Sequence, residues 1–266
     1  MKKISIMCLF GALSMLASCS SGPKTLAEIQ KSGKLIVTTN AEFAPFEYKE
    51  GSTLKGIDID IINAYGEYIG VEVEIQDIDF DSALISVSKN KSDVAIAAIT
   101  KNEKREETLS FSDSYFAANQ VVIVKEDSVY ASLTTEEEIM DKLSENNAKV
   151  GCQRGTTGQF YIEGDADWGF DGIANSECVT FDNGALAVTA LSNGQIDAVV
   201  IDQLPAEMYC EKIDGVTSLD VVLTQEEYVI VVSKGNESLV NSLNEFISEI
   251  KEDGTLEEIV SKYYGE

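Results

Sequence analysis

Strand-length apolar runs alternate with helix-length amphipathic ones in two successive blocks, and this alternation limits the fold more than any other feature. In the first block Lys34 to Thr39, Val71 to Asp77 and Asp93 to Ile99 read as strands, separated by a helix ending at Ile69 and another over Ser82 to Asn90. In the second, Gln120 to Lys125, Lys149 to Cys152, Cys178 to Phe181 and Gln195 to Asp202 read as strands. Helices fill the gaps, ending near Asn146, starting at Gln159, and spanning Asn183 to Asn193 and Leu204 to Lys212, where Pro205 suits a first turn. Strand-helix-strand units build mostly parallel sheets covered by helices, so the fold class is α/β in two lobes. Val221 to Thr224 and Tyr228 to Ser233 read as further strands, and two amphipathic helices separated by Asp253-Gly254 close the chain. Thr25 is placed to cap a helix through Lys31, and Thr134 with Glu137 to form a capping box.

The first residues are set apart from this pattern. Lys2 and Lys3 precede an apolar run from Ile4 to Leu16 that is too short to span a bilayer, which marks an export signal. Leu16-Ala17-Ser18-Cys19 looks like a bacterial lipobox, implying cleavage before Cys19 and lipid on that residue. Loss of Lys2 and Lys3 takes the net charge from −26 to −28. So acidic a surface repels phosphate backbones, so nucleic acid is not the expected partner, and an anionic ligand would need a local cationic site. Cys152, Cys178 and Cys210 remain beyond the leader, compatible with one disulfide and a free thiol or with three thiols. Their spacing resembles no zinc motif, and the chain has no histidine, which excludes a triad built on one.

Four segments carry residues suited to recognition. The stretch AIAAITKNEKREETLSFSDSYF, residues 95–116, runs from a buried strand into a polar turn and presents Arg105 as a short helix begins. A guanidinium there grips a carboxylate with direction, because its planar fork matches two oxygens. Gln153-Arg154-Gly155-Thr156-Thr157-Gly158 leaves a strand for a helix with small hydroxylated residues, a natural anion seat that lacks the lysine and spacing of a Walker loop. Asp202 ends a strand of the second block. The aromatic segment Asn40 to Tyr48 leaves the first strand as a loop at a carboxyl end, where Phe43 is a candidate pocket wall. Asp77, Asp79 and Asp81 lack the glycine and glutamate that a calcium loop needs further on. A cation on one lobe and an acid on the other match the two ends of a zwitterion.

The segments NAEFAPFEY, GIDIDI, AAITKNEKREETLSFSDSYF, VGCQRGTTG, NGQIDAVVIDQ and DGTLEEIVSKYYG, in this order, resemble the extracytoplasmic amino-acid-binding proteins of ABC importers, the type II periplasmic solute-binding family 3. The resemblance runs from Leu26 to Gly265. It implies a two-lobed periplasmic-binding-protein type II fold with a ligand cleft between lobes joined by two hinge strands. Residues 1–18 are then a signal peptide and 19–24 a tether; 25–114 with 229–266 form lobe 1, 120–223 lobe 2, and 115–119 and 224–228 the hinges. Carried over by residue, Arg105 holds the ligand's α-carboxylate with the backbone of Thr157, next to Thr156. Asp202, the Ala98 carbonyl and the Thr100 hydroxyl hold the α-ammonium, and Phe43 lies along the side chain. Asn40, Ile57 and Gln153 are expected to line the rest, and their lack of charge points to a polar uncharged or modestly apolar amino acid.

The resemblance implies a monomer without cofactor or metal, partnered by a free amino acid, an ABC permease with its ATPase, and a bacterial membrane reached through lipid on Cys19. It places the chain outside the cytoplasm, in a periplasm or on a cell surface. Two rival readings share the fold. One is a sensory module for a separate receptor, and the other is an enzyme like the cyclohexadienyl dehydratases, for which Glu42 is the candidate acid or base.

Overall fold

The computed structural model describes residues 22–264, so the expected leader and Cys19 lie outside the described residues. In chain order the first part contains α1 (Leu26–Ser32), β1 (Lys34–Thr39), β2 (Glu42–Phe43), β3 (Glu47–Glu50), β4 (Thr53–Lys55), α2 (Ile57–Ile69), β5 (Glu72–Asp77), α3 (Phe80–Ser88), β6 (Val94–Thr100), α4 (Glu103–Glu106) and β7 (Leu109–Ala118). The second contains β8 (Gln120–Lys125), α5 (Glu136–Glu145), β9 (Lys149–Gln153), α6 (Thr157–Glu163), β10 (Glu177–Phe181), α7 (Gly184–Ser192), β11 (Ala198–Asp202), α8 (Gln203–Lys212) and β12 (Val216–Ser218). The chain then returns through β13 (Glu226–Ser233) and ends in α9 (Glu237–Glu252) and α10 (Thr255–Tyr263).

Two five-stranded sheets result, one per lobe. Lobe 1 has the order β5-β1-β6-β13-β7 and lobe 2 the order β10-β9-β11-β8-β12. In each, three strands run parallel while the remaining two run antiparallel to their neighbours, because the chain crosses between lobes twice. β6 is buried at all seven positions, as an apolar strand covered on both faces must be. α2 and α9 press Ile61, Tyr65, Leu243 and Phe246 onto one face of its sheet, and α3 presses Phe80, Ala83 and Val87 onto the other. In both sheets the strand order reverses beside a central strand, β1 in lobe 1 and β9 in lobe 2. Ligands bind at the carboxyl ends of strands at such reversals, which here are occupied by Asn40, Thr100, Gln153 and Asp202.

Several local readings are met closely. Thr25 accepts from the Glu28 N–H while Glu28 bonds back to the Thr25 N–H, and Gly33 ends α1 at φ 72°, where a residue with a Cβ would be strained. Others shift. The segment after β1 is a three-stranded antiparallel meander, not a loop. The cap of α5 is Thr135, which accepts from the Glu138 N–H, one residue later than the expected Thr134. Val221 to Thr224 forms no strand; it is the second crossing, tied to β8 where Leu223 N–H donates to the Gln120 carbonyl and Gln120 N–H to Thr224 Oγ1. The first crossing is Asn119, and residues on either side of both crossings, Phe116 to Ala118 and Glu226 to Tyr228, pair as an antiparallel ribbon. Cys152, Cys178 and Cys210 are free thiols, with the Cys152 and Cys178 sulfurs 3.5 Å apart.

Candidate ligand-binding site

Between the lobes lies a cavity walled from lobe 1 by Asn40, Phe43, Glu47, Phe80, Ala97, Ala98, Thr100 and Arg105, and from lobe 2 by Gln153, Thr156, Thr157 and Asp202. Nine of the ten ligand-binding residues expected from sequence are among them. Ile57 is not: it opens α2 with its side chain fully buried in the lobe 1 core, because the Ile57 N–H is pinned to the Pro45 carbonyl behind the meander. Phe80 of α3, which was not among the expected residues, lines the cavity.

Arg105 is held at the end of β6 by α4, whose first turn is capped by Asn102 accepting from the Arg105 N–H at 2.7 Å. Its Nη1 donates to the Thr100 carbonyl at 2.5 Å and its Nη2 crosses the cleft to the Gly155 carbonyl at 3.1 Å. The guanidinium is stacked between Phe80 of lobe 1, 5.5 Å from its ring, and Trp168 of lobe 2, at 5.1 Å. Burial lowers its pKa to about 10, with Glu226, Asp81 and Asp202 opposing, so it stays charged at neutral pH. Three of its five N–H groups have no protein acceptor among the described residues.

Asp202 caps the other end of the cavity. Burial pushes its carboxyl up to about 7 and the charge of Glu226 adds to the rise, against a hydrogen bond from the Tyr228 hydroxyl. Ala98 adopts φ 48°, a left-handed conformation that costs a residue with a Cβ about 1–2 kcal/mol. It falls where the pairing of β6 with β13 slips, and Asp58 compensates by accepting the Ala98 N–H at 2.8 Å and the Tyr115 hydroxyl at 2.8 Å. Strain fixed by a fully buried carboxylate marks a functional position.

The cavity's far end is more polar than sequence suggested. Gln153 Nε2 donates to Asn40 Oδ1 at 2.9 Å, and Asn40 Nδ2 to the Ile78 carbonyl at 3.2 Å, which leaves Gln153 Oε1 buried without a partner. Glu47, 1% exposed, shares a hydrogen bond with the Asp58 carboxyl. Burial and the neighbouring Asp58 hold the Glu47 carboxyl well above the usual carboxylate range, so it carries the proton of the Glu47–Asp58 pair. Burial raises Asp58 to about 6, against the hydrogen bonds it accepts. Sequence reasoning passed over Glu47, Phe80 and Glu226. Glu47, an acid inside the aromatic segment, was the most findable; the other two sit in unremarkable stretches. Glu42, the acid proposed for an enzyme, is exposed outside the cavity and accepts from Asn183 across the lobes. Asp77 likewise serves the fold, accepting from the Ala41 N–H and pairing with Lys49.

Comparison with known proteins agrees with this geometry. Residues 35–266 match the family described as bacterial extracellular solute-binding proteins, family 3. A protein of Neisseria gonorrhoeae named "Probable histidine-binding protein" is 31% identical over 95% of this chain and 91% of its own length. A crystal structure of a mutant of ArgBP from T. maritima superposes with a TM-score of 0.80 at 31% identity, covering 91% of this chain and 99% of that one. An ancestral arginine-binding protein, solved with glutamine and with arginine, gives a TM-score of 0.77 at 34% identity, covering 88% and 99%. All are named for binding. With two α/β lobes closed over a shared polar cavity and a match that runs nearly end to end, the chain belongs to the bacterial extracellular solute-binding proteins, family 3.

Proposed function

We propose that this protein captures a free L-amino acid outside the cytoplasm, closes its two lobes over it and delivers it to an ABC permease, tethered to the membrane by lipid on Cys19. The supporting observation is the opposition of Arg105 and Asp202 in one cavity with Ala98, Thr100 and Thr157 between them. Arg105 and the Thr157 backbone receive the α-carboxylate, while Asp202, the Ala98 carbonyl and the Thr100 hydroxyl receive the α-ammonium. Lobe 1 carries Arg105, Ala98 and Thr100 and binds first; closure adds Asp202 and the turn at Thr156 and Thr157. A ligand favours the closed form only through bonds gained on closing, and these two groups supply them.

The ligand's side chain ends in N–H donors. Gln153 Oε1 is a buried acceptor without a partner among the described residues, and an apolar side chain would leave it unpaired at a cost of about 1–3 kcal/mol. Arginine, glutamine and histidine, for which the relatives are named or with which they were solved, all meet that requirement. This departs from the expectation of a polar uncharged or modestly apolar ligand, which counted Ile57 as a wall: it drops the apolar side chains and admits the cationic arginine. The test is a thermal-shift and calorimetric screen of residues 20–266 against the common L-amino acids. Binding of N–H-bearing amino acids and not of leucine or valine, abolished in Arg105→Ala, is the expected result. Equal binding of leucine would overturn the side-chain assignment, and no binding of any amino acid would overturn the function.

A further inference from the structure

Glu226 lies outside the cavity wall yet touches two of the residues that form it. It is the first residue of β13, 8% exposed, and lines a neighbouring crevice shared with Thr100 and Thr157, which face both spaces. Its carboxylate collects three hydroxyl hydrogens: Oε2 accepts from Thr100 Oγ1 at 2.5 Å and Thr157 Oγ1 at 2.7 Å, and Oε1 from Thr224 Oγ1 at 2.6 Å. The three donors come from lobe 1, lobe 2 and the second crossing.

We propose that Glu226 is a specificity-determining positioning residue, which fixes the hydroxyl of Thr100 as an acceptor toward the cavity and so selects an α-ammonium over an α-hydroxyl or α-keto group. The proposal rests on the amino-acid reading given above. A threonine hydroxyl has one hydrogen and two lone pairs. With the hydrogen committed to a buried carboxylate through a short, charge-assisted bond, only lone pairs remain for the ligand. An ammonium has three donors and no lone pair, so it suits that arrangement. An α-keto oxygen has no donor and sets lone pair against lone pair, and an α-hydroxyl has one hydrogen, enough for only one of Asp202, the Ala98 carbonyl and the Thr100 hydroxyl. Turning the Thr100 hydrogen toward the ligand would strip a buried carboxylate oxygen of a donor, which is the costlier arrangement. Asp202 favours the same end group by charge; Glu226 does so by setting which way a neutral hydroxyl points.

The measurement is calorimetric affinity for the best amino acid from the screen and for the α-hydroxy and α-keto acids with the same side chain, in wild type and Glu226→Gln. The glutamine keeps the shape but brings an N–H₂ that can donate to Thr100, freeing its hydrogen to turn. The amino-acid to hydroxy-acid affinity ratio is expected to fall at least tenfold, chiefly through weaker amino-acid binding. A ratio that stays constant while both ligands weaken alike would show that Glu226 only supports the crossing, and would overturn the proposal. Should Glu226→Gln not fold, Thr100→Val and Thr100→Ser carry the same test: valine, which lacks the acceptor, must lower the ratio and serine must restore it. Failure of the amino-acid reading is seen separately, as a folded wild type that binds no amino acid at all.

Discussion

Ligand affinity should depend on pH through Asp202, and the chain offers a clean setting because it contains no histidine. Burial and Glu226 push Asp202 up to about 7 in the free protein, and its role beside an ammonium requires the ionised form. Affinity is then proportional to the ionised fraction of the free protein. At pH 6 about one molecule in ten is competent, so Kd is about tenfold weaker than at pH 8, or about 1.4 kcal/mol. The sign is fixed: affinity rises with pH through about 7 and levels off above about 8. With arginine or glutamine as ligand, neither ligand end group titrates between pH 5 and 7. Calorimetry at half-unit steps from pH 5.5 to 8, at constant ionic strength, gives the profile, and Asp202→Asn should be weaker at pH 8 and flat throughout. A flat wild-type profile, or an equal slope in Asp202→Asn, would refute the assignment.

The same groups act in the opposite sense on stability. Asp202 and Asp58, raised to about 7 and about 6, give the native state more bound protons than the unfolded chain, so their contribution is fully present at low pH and is lost as pH rises through 6 and 7. The melting temperature of the ligand-free protein, followed by calorimetry, should fall from pH 5 to pH 8, and a rise would contradict these shifts. Gly155 has φ 76°, and a Cβ on it would sit 1.9 Å from Asp81 Oδ1 of the other lobe. Gly155→Ala should therefore lower affinity more than tenfold while the free protein melts only about 2–4 °C lower, with Asp81→Ala recovering binding in the double variant. Trp168, the only tryptophan in the chain, covers Arg105 from lobe 2, so its emission should change on ligand addition. Trp168→Ala should weaken binding about 2- to 30-fold, the span of a stacked cation contact, and unchanged affinity would remove it from the site.

Most of the fold was legible because its elements are locally consistent. Thr25, Gly33 and Gly70 mark helix ends by chemistry that needs no tertiary partner, and β6 declares itself by seven apolar or small residues in a row. β7 and the meander were less visible because their half-buried alternation is broken by serine, glutamate and lysine, and antiparallel partners decide their conformation. That Arg105 and Asp202 share one cavity was readable, since Asp202 ends β11 with a charge that a buried sheet would otherwise exclude and Arg105 follows β6 on the short helix α4. The floor of the cavity was not. Phe80 was read as preceding its helix, whereas it begins α3 with its ring against the Arg105 guanidinium, and Ile57 faces the lobe 1 core. Glu226 gains its role only through three threonines from three parts of the chain, a relation that no local pattern records.

The charge around Arg105 explains why one cation suffices in a protein that carries a net charge of −26. Arg105 forms no ion pair among the described residues, although Glu226, Asp81 and Asp202 are near enough to favour its charged form. Two aromatic faces and two backbone carbonyls hold it, and these neutralise none of its charge. Glu226, Asp81 and Asp202 lower the cost of burying that charge without pairing with it, and on the proposed function a ligand carboxylate supplies the direct partner. An internal salt bridge would have met the need in advance and left the ligand nothing to gain. The surrounding acids then set what else the ligand must carry. A simple anion meets Asp202 and the Glu47–Asp58 pair as well as Arg105, and a simple cation meets Arg105, so only a molecule with both signs of charge finds each end of the cavity favourable.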